Sequence, residues 1–226
     1  MVIEYFQTLD DYAMKPYFAT LTRWLKYFSF FVSILLPGLY VALGTFNPEA
    51  FPDLLIEKVA TSIATTPFPL MFETLIIHFI YEIMREAGLR LPRVLGHAVS
   101  IVGGLVIGET AVSAGLIAGP TLMVVAITAI ASYVIPNLYE PIAILRLIFI
   151  IVGGTLGIIG MTLFFIGILI NICSKSTYNI PFSAPVSPFS LKSMRDVAVR
   201  AGWKSLSNKS EKIQNMPGSN INKKDR

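Results

Sequence analysis

The sequence predicts an all-α fold: a polytopic membrane bundle of about four to six membrane-embedded helices, with one broken or re-entrant pair. Hydrophobic residues make up 54% of the 226 residues, whereas charged residues make up 14%. The mean hydropathy is +0.66, which is above that of ordinary soluble domains. In addition, the run Ile142–Ile172 contains almost no charge and is longer than the roughly 20 residues that cross a bilayer.

The first spanning helix is predicted at Tyr27–Gly44, after a polar lead-in over Met1–Thr22. Pro37 and Gly38 interrupt the apolar run and predict a kink, which neighbouring helices can accommodate in a bundle. The next segment, Thr45–Pro69, is acidic and is expected to face outward.

Leu70–Ala87 has the period of an amphipathic helix, so it is expected either to cross inside a bundle or to lie at the membrane interface. Gly88 and Pro92 are expected to end it. Four ionisable side chains interrupt its apolar pattern: Glu73, His78, Glu82 and Glu86. The arginines at positions 85, 90 and 93 form a basic corner that is typical of the cytoplasmic side.

Two short apolar stretches follow, Val94–Ile107 and Thr121–Ile135, and Gly108–Pro120 separates them. Both are rich in small residues, which let helices approach closely. A break at membrane depth is tolerated only where it is buried in protein or lines a wet cavity, so it is the best candidate for a functional centre. Pro141–Ile172 is the last long hydrophobic segment, with glycines at helical spacing along a predicted packing face.

Positive charge at both ends predicts an even number of membrane crossings. Arg23 and Lys26 precede the first helix, and from Lys175 to Arg226 ten Lys or Arg stand against three Asp or Glu, as is typical of cytoplasmic segments. Five separate apolar pieces would violate this parity. Either Leu70–Ala87 does not cross, or Val94–Ile135 forms one broken crossing or a re-entrant pair, which is the preferred interpretation.

The sequence contains no motif for enzymatic or cofactor chemistry. A Gly-rich phosphate loop, a dinucleotide fingerprint and a His-Glu-x-x-His helix are all absent from it, so we predict neither an enzyme nor a cofactor. Cys173 is the single cysteine, and His78 and His97 lie in different elements, which argues against a metal site. The basic tail is expected to contact anionic membrane lipid rather than nucleic acid.

Ionisable residues at membrane depth form the candidate site, because a charge near the bilayer centre costs at least about 2.5–3.5 kcal/mol. The residues that qualify are Glu73, His78, Glu82, Glu109 and Arg146. His78 and Glu82 lie four positions apart on one helix face, as do Glu82 and Glu86, and Arg85 can reach either side of that row. The row is either an internal salt-bridge network that anchors the bundle or, in part, the lining of an ion path. Arg146 is a further member of this candidate pore or polar network. Arg146 can instead extend to a membrane interface. Glu109 is predicted at the break, where freed carbonyls could coordinate a cation. Alternatively, it caps a short helix around Thr110.

Several stretches of the sequence match a known family. They are REAGLRLPR at Arg85–Arg93, VSIVGGLVIG at Val99–Gly108, ITAIAS at Ile127–Ser132 and LLPGLYVAL at Leu35–Leu43. The match continues through Ala111–Val112, Pro136–Asn137 and the proline-rich stretch Pro181–Pro188. In these motifs the chain resembles the GerA family of spore germination proteins.

The resemblance implies the membrane domain of an A-type germinant receptor subunit, which contributes to a nutrient-gated ion-release channel during germination. It further implies the inner membrane of the spore, a transporter-like B-type subunit and a C-type lipoprotein as partners, and a homo-oligomer of A subunits around the pore. Val112 lies in Val102–Gly115, which is then expected to approach the pore axis. Residues 1–24 would be the polar juxtamembrane remnant of a soluble domain, 25–173 the transmembrane domain and 174–226 a basic cytoplasmic tail.

Three alternatives stay open. An accessory spore membrane channel protein of the same family shares these motifs. A secondary transporter would suit a broken helix, but transporters usually show two corresponding halves and the sequence shows one break. A purely structural scaffold would predict that neutralising Glu109 changes assembly and not conductance.

Overall fold

The structure is a computed structural model of the chain. It describes residues 5–51, 53–92, 103–104, 106–177 and 180–183, together with Val186, Val197 and Val199. These residues form two compact units, Met1–Phe28 with Ile166–Arg226, and Ser29–Phe165. The predicted all-α class is confirmed for them, apart from one antiparallel pair of two-residue strands, β1 (Ser176–Thr177) and β2 (Ile180–Pro181).

The helices with defined bounds are α1 (Leu9–Ala13), α2 (Pro16–Phe46), α3 (Asp53–Ala64), α4 (Leu70–Arg90), α5 (Gly119–Tyr133) and α6 (Tyr139–Ser174). Residues 106–113 are also helical and are called segment 106–113 below. Short 3-10 turns lie at Pro48–Ala50 and Pro136–Leu138. Within the described residues, α2 and α6 are the helices long and apolar enough to cross a membrane, and α5 is a shorter apolar helix.

The helix α2 is longer than predicted. It begins at Pro16, inside the predicted polar lead-in, and continues through Pro37 to Phe46. The acidic segment that follows contains the helix α3, which the charge pattern did not predict. The helix α4 begins at Leu70 as predicted. It does not end at Gly88 but continues to Arg90. Leu91 is extended, as is favoured for a residue that precedes a proline, here Pro92.

The break between the two short apolar stretches is narrower than predicted and begins later. Segment 106–113 includes Gly108, so the chain is non-helical only from Ala114 to Ala118. Gly115 follows the end of this segment, and its φ of 68° favours glycine. The Gly115 N–H donates to the Val112 carbonyl and the Leu116 N–H to the Ala111 carbonyl, each at 3.0 Å, which is a Schellman motif. Of the first predicted stretch, Val94–Ile107, residues 94–102 and 105 lie outside the described residues.

The last hydrophobic segment is not one straight helix. Gly157 has a φ of 64° and a ψ of −157°, which only glycine adopts readily. The rings of Phe149 and Phe164 lie 5.1 Å apart, whereas a straight helix would separate these residues by about 22 Å. Within the second unit the chain therefore folds back on itself, and Gly157 forms the turn. The expectation of one break in the sequence was wrong, because a single glycine gives no compositional signal of a loop.

The second unit has a core in which α2 and α6 approach closely. A Cβ placed on Gly38 would lie 2.7 Å from the Phe149 carbonyl oxygen, and one on Gly153 would lie 2.5 Å from the Gly38 carbonyl oxygen. The predicted packing role is therefore confirmed for Gly153, but Gly167 has open space around its Cα. A neighbouring apolar cluster joins α2, α3, α4 and α6 through Tyr40, Val41, Val59, Leu70 and Ile150.

The first unit contains a buried ion cluster that the sequence did not reveal. Asp11 is 2% exposed. Its carboxylate lies 2.9 Å from the Lys26 Nζ and 3.5 Å from the Arg23 Nε. Lys26 also donates to the Thr8 hydroxyl and the Phe6 carbonyl. Arg23 and Lys26, which were expected as flanking charges of a cytoplasmic end, thus also bind an acidic side chain.

Candidate functional site

The helices α4 and α6 are joined by an ion pair between the buried Arg146 and the half-buried Glu82. Arg146 Nη2 donates to Glu82 Oε1, and the Tyr139 hydroxyl donates to Glu82 Oε2 at 2.6 Å. Tyr139 is the first residue of α6 and Arg146 lies two turns later, so both side chains meet Glu82 from one face of that helix. Arg146 is fully buried. The expectation that it extends to an interface was therefore wrong.

Two aromatic rings complete this network. The Arg85 guanidinium carbon lies 3.1 Å from the centre of the Tyr139 ring, and that of Arg146 lies 5.5 Å from the centre of the Tyr81 ring. Such contacts stabilise a desolvated cation through the negative face of the ring. The structure thus brings Glu82, Arg85 and Arg146 together around Tyr139.

The network has more positive than negative charge. Among the described residues it contains two arginines and one carboxylate, because the neighbouring Glu86 is exposed and pairs with Arg90 at 2.7 Å. The Nε and Nη1 atoms of Arg146 are buried and have no hydrogen-bond partner within the described part of the chain. An arginine stays charged in proteins, so these donors mark an incompletely satisfied polar site.

His78 lies one turn before Glu82 and is a satisfied interior residue. Its Nδ1 is 2.9 Å from the Thr74 carbonyl oxygen, and its Nε2 is 3.4 Å from the Thr128 hydroxyl of α5. In the neutral ring with the proton on Nδ1, that nitrogen donates to the carbonyl, and Nε2 faces the Thr128 hydroxyl, which itself donates to the Val125 carbonyl. His78 therefore links α4 to α5.

Glu109 and Val112 do not belong to this network. Both lie in segment 106–113, where Glu109 is exposed and Val112 is half-buried. Glu109 was expected at the break, but it stands inside the helix because the chain turns only at Gly115. A pore-lining role for the two residues stays a prediction.

The Glu73 carboxylate, on α4, accepts a hydrogen bond from the backbone at the break. Its Oε1 accepts the Ala118 N–H at 2.7 Å, just before the start of α5, and its Oε2 accepts the Thr66 hydroxyl at 3.2 Å. Negative charge at a helix N-terminus is stabilised by the free N–H groups and the helix dipole. Glu73 is fully buried and also lines a cavity of about 400 Å³ beside the break.

Comparison with known proteins places the chain in a family. The model of the family described as Bacillus/Clostridium GerA spore germination protein matches residues 1–212. The chain belongs to this GerA family. The resemblance of the sequence motifs is thereby confirmed.

Several curated proteins are similar to the chain. Spore germination protein KA of Bacillus subtilis is 39% identical over 90% of the chain and 38% of the relative. The uncharacterized membrane protein YfkQ of the same organism is 38% identical over 87% of the chain and 39% of the relative. Spore germination protein GerLA of Bacillus cereus is 33% identical over 94% of the chain and 44% of the relative. The chain thus spans about two fifths of the length of these relatives, and no solved structure matches it.

Two members of the site in this GerA chain were missed or only partly understood from sequence. Tyr139 follows Pro136-Asn137 at the start of an apolar helix, where tyrosines are common at membrane interfaces. This position is the feature of the sequence from which a role for Tyr139 could have been predicted. Glu73 was recognised as ionisable at membrane depth, but its hydrogen bond to Ala118 spans 45 positions and leaves no local pattern.

Proposed function

We propose that the chain is the membrane part of an A-type germinant receptor subunit, which contributes to a nutrient-gated ion-release channel in the inner membrane of the spore. Membership of the GerA family supports this function, as do the relatives named spore germination proteins. Two helices long and apolar enough to cross a membrane support the location. Because the chain covers about two fifths of these relatives, the activity of the whole protein is part of the proposal.

The proposal includes an assembly. The partners are a transporter-like B-type subunit and a C-type lipoprotein, and further copies of the A-type subunit surround the pore. The family membership supports this arrangement. Glu109 and Val112, in segment 106–113, are then proposed to face the pore axis.

The observation that carries the ion-release role is the ion pair between the buried Arg146 and the half-buried Glu82. Burying charge in an apolar bundle costs free energy, and well-packed apolar residues often stabilise a core as much or more. A helix contact between α4 and α6 does not require ions. Charged groups retained at such a contact are expected where they line an ion path or hold an element that moves.

Spores that carry a full-length A-type subunit with this membrane domain provide the test. Ion release after nutrient addition is compared between wild type, Glu82→Gln and Glu86→Gln. Glu86 is the matched control, because it lies one turn later on α4, is exposed and pairs with Arg90 outside the network. We expect Glu82→Gln to change the rate about tenfold, as roughly 1.4 kcal/mol on a barrier would, at unchanged subunit level. Glu86→Gln is expected to behave as wild type.

The same assay separates the channel from a scaffold. If Glu82→Gln lowers the amount of subunit in the membrane while release per subunit stays the same, the network only anchors the bundle. Glu109→Gln tests segment 106–113 independently, since this carboxylate is exposed and outside the network. A changed ion preference in that variant would support the proposed pore-facing position.

A further inference from the structure

The first turns of α2 carry an exposed apolar stripe that lies wholly within the first unit. Between positions 17 and 28 every exposed residue is large and apolar, and these side chains are 47–72% exposed. The six residues, called the outer stripe below, are Tyr17, Phe18, Leu21, Trp24, Leu25 and Phe28. The four aromatic members alone, at roughly 150–250 Å² each, leave on the order of 500 Å² uncovered. That area reaches the range of the largest apolar patch on a typical soluble monomer, roughly 300–600 Å².

The opposite side of these turns is polar and packs against protein. Arg23 is fully buried, and the Lys26 side chain is 12% exposed. Their side chains contact the buried Asp11 of α1, at 3.5 Å from the Arg23 Nε and 2.9 Å from the Lys26 Nζ. In a soluble amphipathic helix the apolar stripe faces the core and the charged side faces water. Here the two sides are exchanged, so the outer stripe requires a neighbour other than water.

The residue types of the outer stripe identify lipid as that neighbour. Tyr and Trp are enriched where a membrane meets water, because their rings combine an apolar body with a polar tip. The stripe contains one of each, Tyr17 and Trp24. A second helix would favour small residues, which let backbones approach closely, and no exposed position from 17 to 28 holds one. Lys15, just before the stripe, is exposed and can extend its ammonium group to lipid phosphates.

We propose that the outer stripe lies at the membrane–water interface of the bilayer, with its rings against lipid. Contact with the membrane then begins at Tyr17, inside the predicted polar lead-in, and not at Tyr27, where the sequence predicted the first spanning helix. The Asp11 cluster lies on the protein side of these turns. The inference rests on the proposed membrane location and is independent of ion release.

The emission of Trp24 tests the contact. The chain has two tryptophans, so Trp203→Phe leaves Trp24 as the single fluorophore. The full chain with this substitution is reconstituted in phosphatidylcholine vesicles whose acyl chains are brominated near the headgroup end. We expect Trp24 to lose most of its emission there, relative to unbrominated vesicles, and to lose little to iodide in the water. Quenching by iodide but not by the brominated lipid would overturn the proposal. Extraction of the chain from the vesicles by alkaline carbonate would instead contradict the membrane location itself.

Two further single-tryptophan proteins separate lipid from a protein cover. Both carry Trp24→Phe and Trp203→Phe, and each has one new tryptophan, Tyr17→Trp or Phe6→Trp. Phe6 is 4% exposed and its ring lies 4.8 Å from that of Tyr27, so Phe6→Trp gives the response of a ring that protein covers. We expect Tyr17→Trp to be quenched by the brominated lipid as Trp24 is, and Phe6→Trp to resist both quenchers. If Trp24 resists both as well, a second copy or another protein surface covers the stripe and the proposal is wrong. If only Trp24 responds to the lipid, contact does not begin at Tyr17.

Discussion

Asp11 shows how a single charged residue can organise the start of the chain. Burial alone would raise the pKa of Asp11, but the hydrogen bond and charge of Lys26, helped by two hydrogen bonds from Thr8, outweigh it. The pKa therefore lies below its usual value. Asp11 also accepts a contact from Arg23, which is itself fully buried. The ionised form of Asp11 thus stabilises the folded first unit.

We predict that this carboxylate makes the stability of the chain depend on acidic pH. The pKa of an unfolded aspartate is about 4, and the pKa of folded Asp11 is lower. Its contribution is therefore fully present above about pH 4 and is lost as the pH falls through the folded pKa. The midpoint of thermal unfolding in detergent, measured between pH 3 and 6, is expected to fall at the acidic end.

The variant Asp11→Asn supplies the control for this effect. It removes the titrating group and the carboxylate that contacts Arg23 and Lys26, so at pH 7 it is expected to cost about 3 kcal/mol of unfolding free energy. Its own pH profile should be flatter than that of wild type. An equal acidic decline in both proteins would show that other groups control it.

At this scale the sequence identified charged residues better than it identified their partners. Glu82 and Arg146 stood out because ionisable groups are rare in apolar runs. Their contacts were less predictable, since Glu82 and Arg146 are 64 positions apart and helical spacing relates only neighbours three or four positions apart. Asp11 gave no signal at all, because it lies in a polar stretch where charge is ordinary.

At the scale of elements, α2 and α6 meet through backbone rather than through large side chains. Gly38 faces the carbonyl of Phe149, and Gly153 faces the carbonyl of Gly38. Close backbone approach of this kind provides dispersion contacts that lipid cannot replace between membrane helices. The contact leaves no space for a methyl group on either glycine.

We predict that Gly38→Ala destabilises the bundle. The added Cβ would lie 2.7 Å from the Phe149 carbonyl oxygen, and overpacking of this kind costs about 1–3 kcal/mol. Gly167→Ala is the matched control, because nothing lies within 4 Å of its added Cβ. It is expected to be neutral or to stabilise the helix by up to about 1 kcal/mol. Unfolding in mixed micelles measures both variants, and equal stability of the two would contradict the close packing of α2 on α6.

Element boundaries show where composition is a poor guide. Gly108 was expected to open the break, but it is buried inside a helix and packs near Leu122 of α5. Gly115 ends the helix instead, since it supplies the left-handed residue of a Schellman motif. Gly157 turns α6 although the residues on either side of it in the sequence, Leu156 and Ile158, are apolar. In an apolar run a glycine can either pack or turn, and its tertiary neighbours decide which.

At the scale of the whole molecule, the turn at Gly157 changes the count of crossings. Five apolar pieces gave an odd number, in conflict with two basic ends on one side. The halves Tyr139–Leu156 and Ile158–Ser174 are about 27 Å and 25 Å long at 1.5 Å per residue, close to the hydrocarbon thickness of about 30 Å. If each half crosses, all the apolar pieces can cross and the total becomes six, which restores the even parity.

We therefore predict that the two ends of α6 lie on the same side of the membrane. Cys173 is the single cysteine and is exposed, so a membrane-impermeant maleimide reports its side directly. Asn137→Cys, made in a Cys173→Ser background, reports the other end from an exposed turn. A hairpin predicts labelling of both positions from the cytoplasmic side, whereas a single crossing predicts labelling from opposite sides. Asn47→Cys in the same background, after the end of α2, is the control and should be labelled only from outside. Opposite labelling of positions 137 and 173 would mean that the halves of α6 do not each cross, and the parity would then have to come from α4 or from the break.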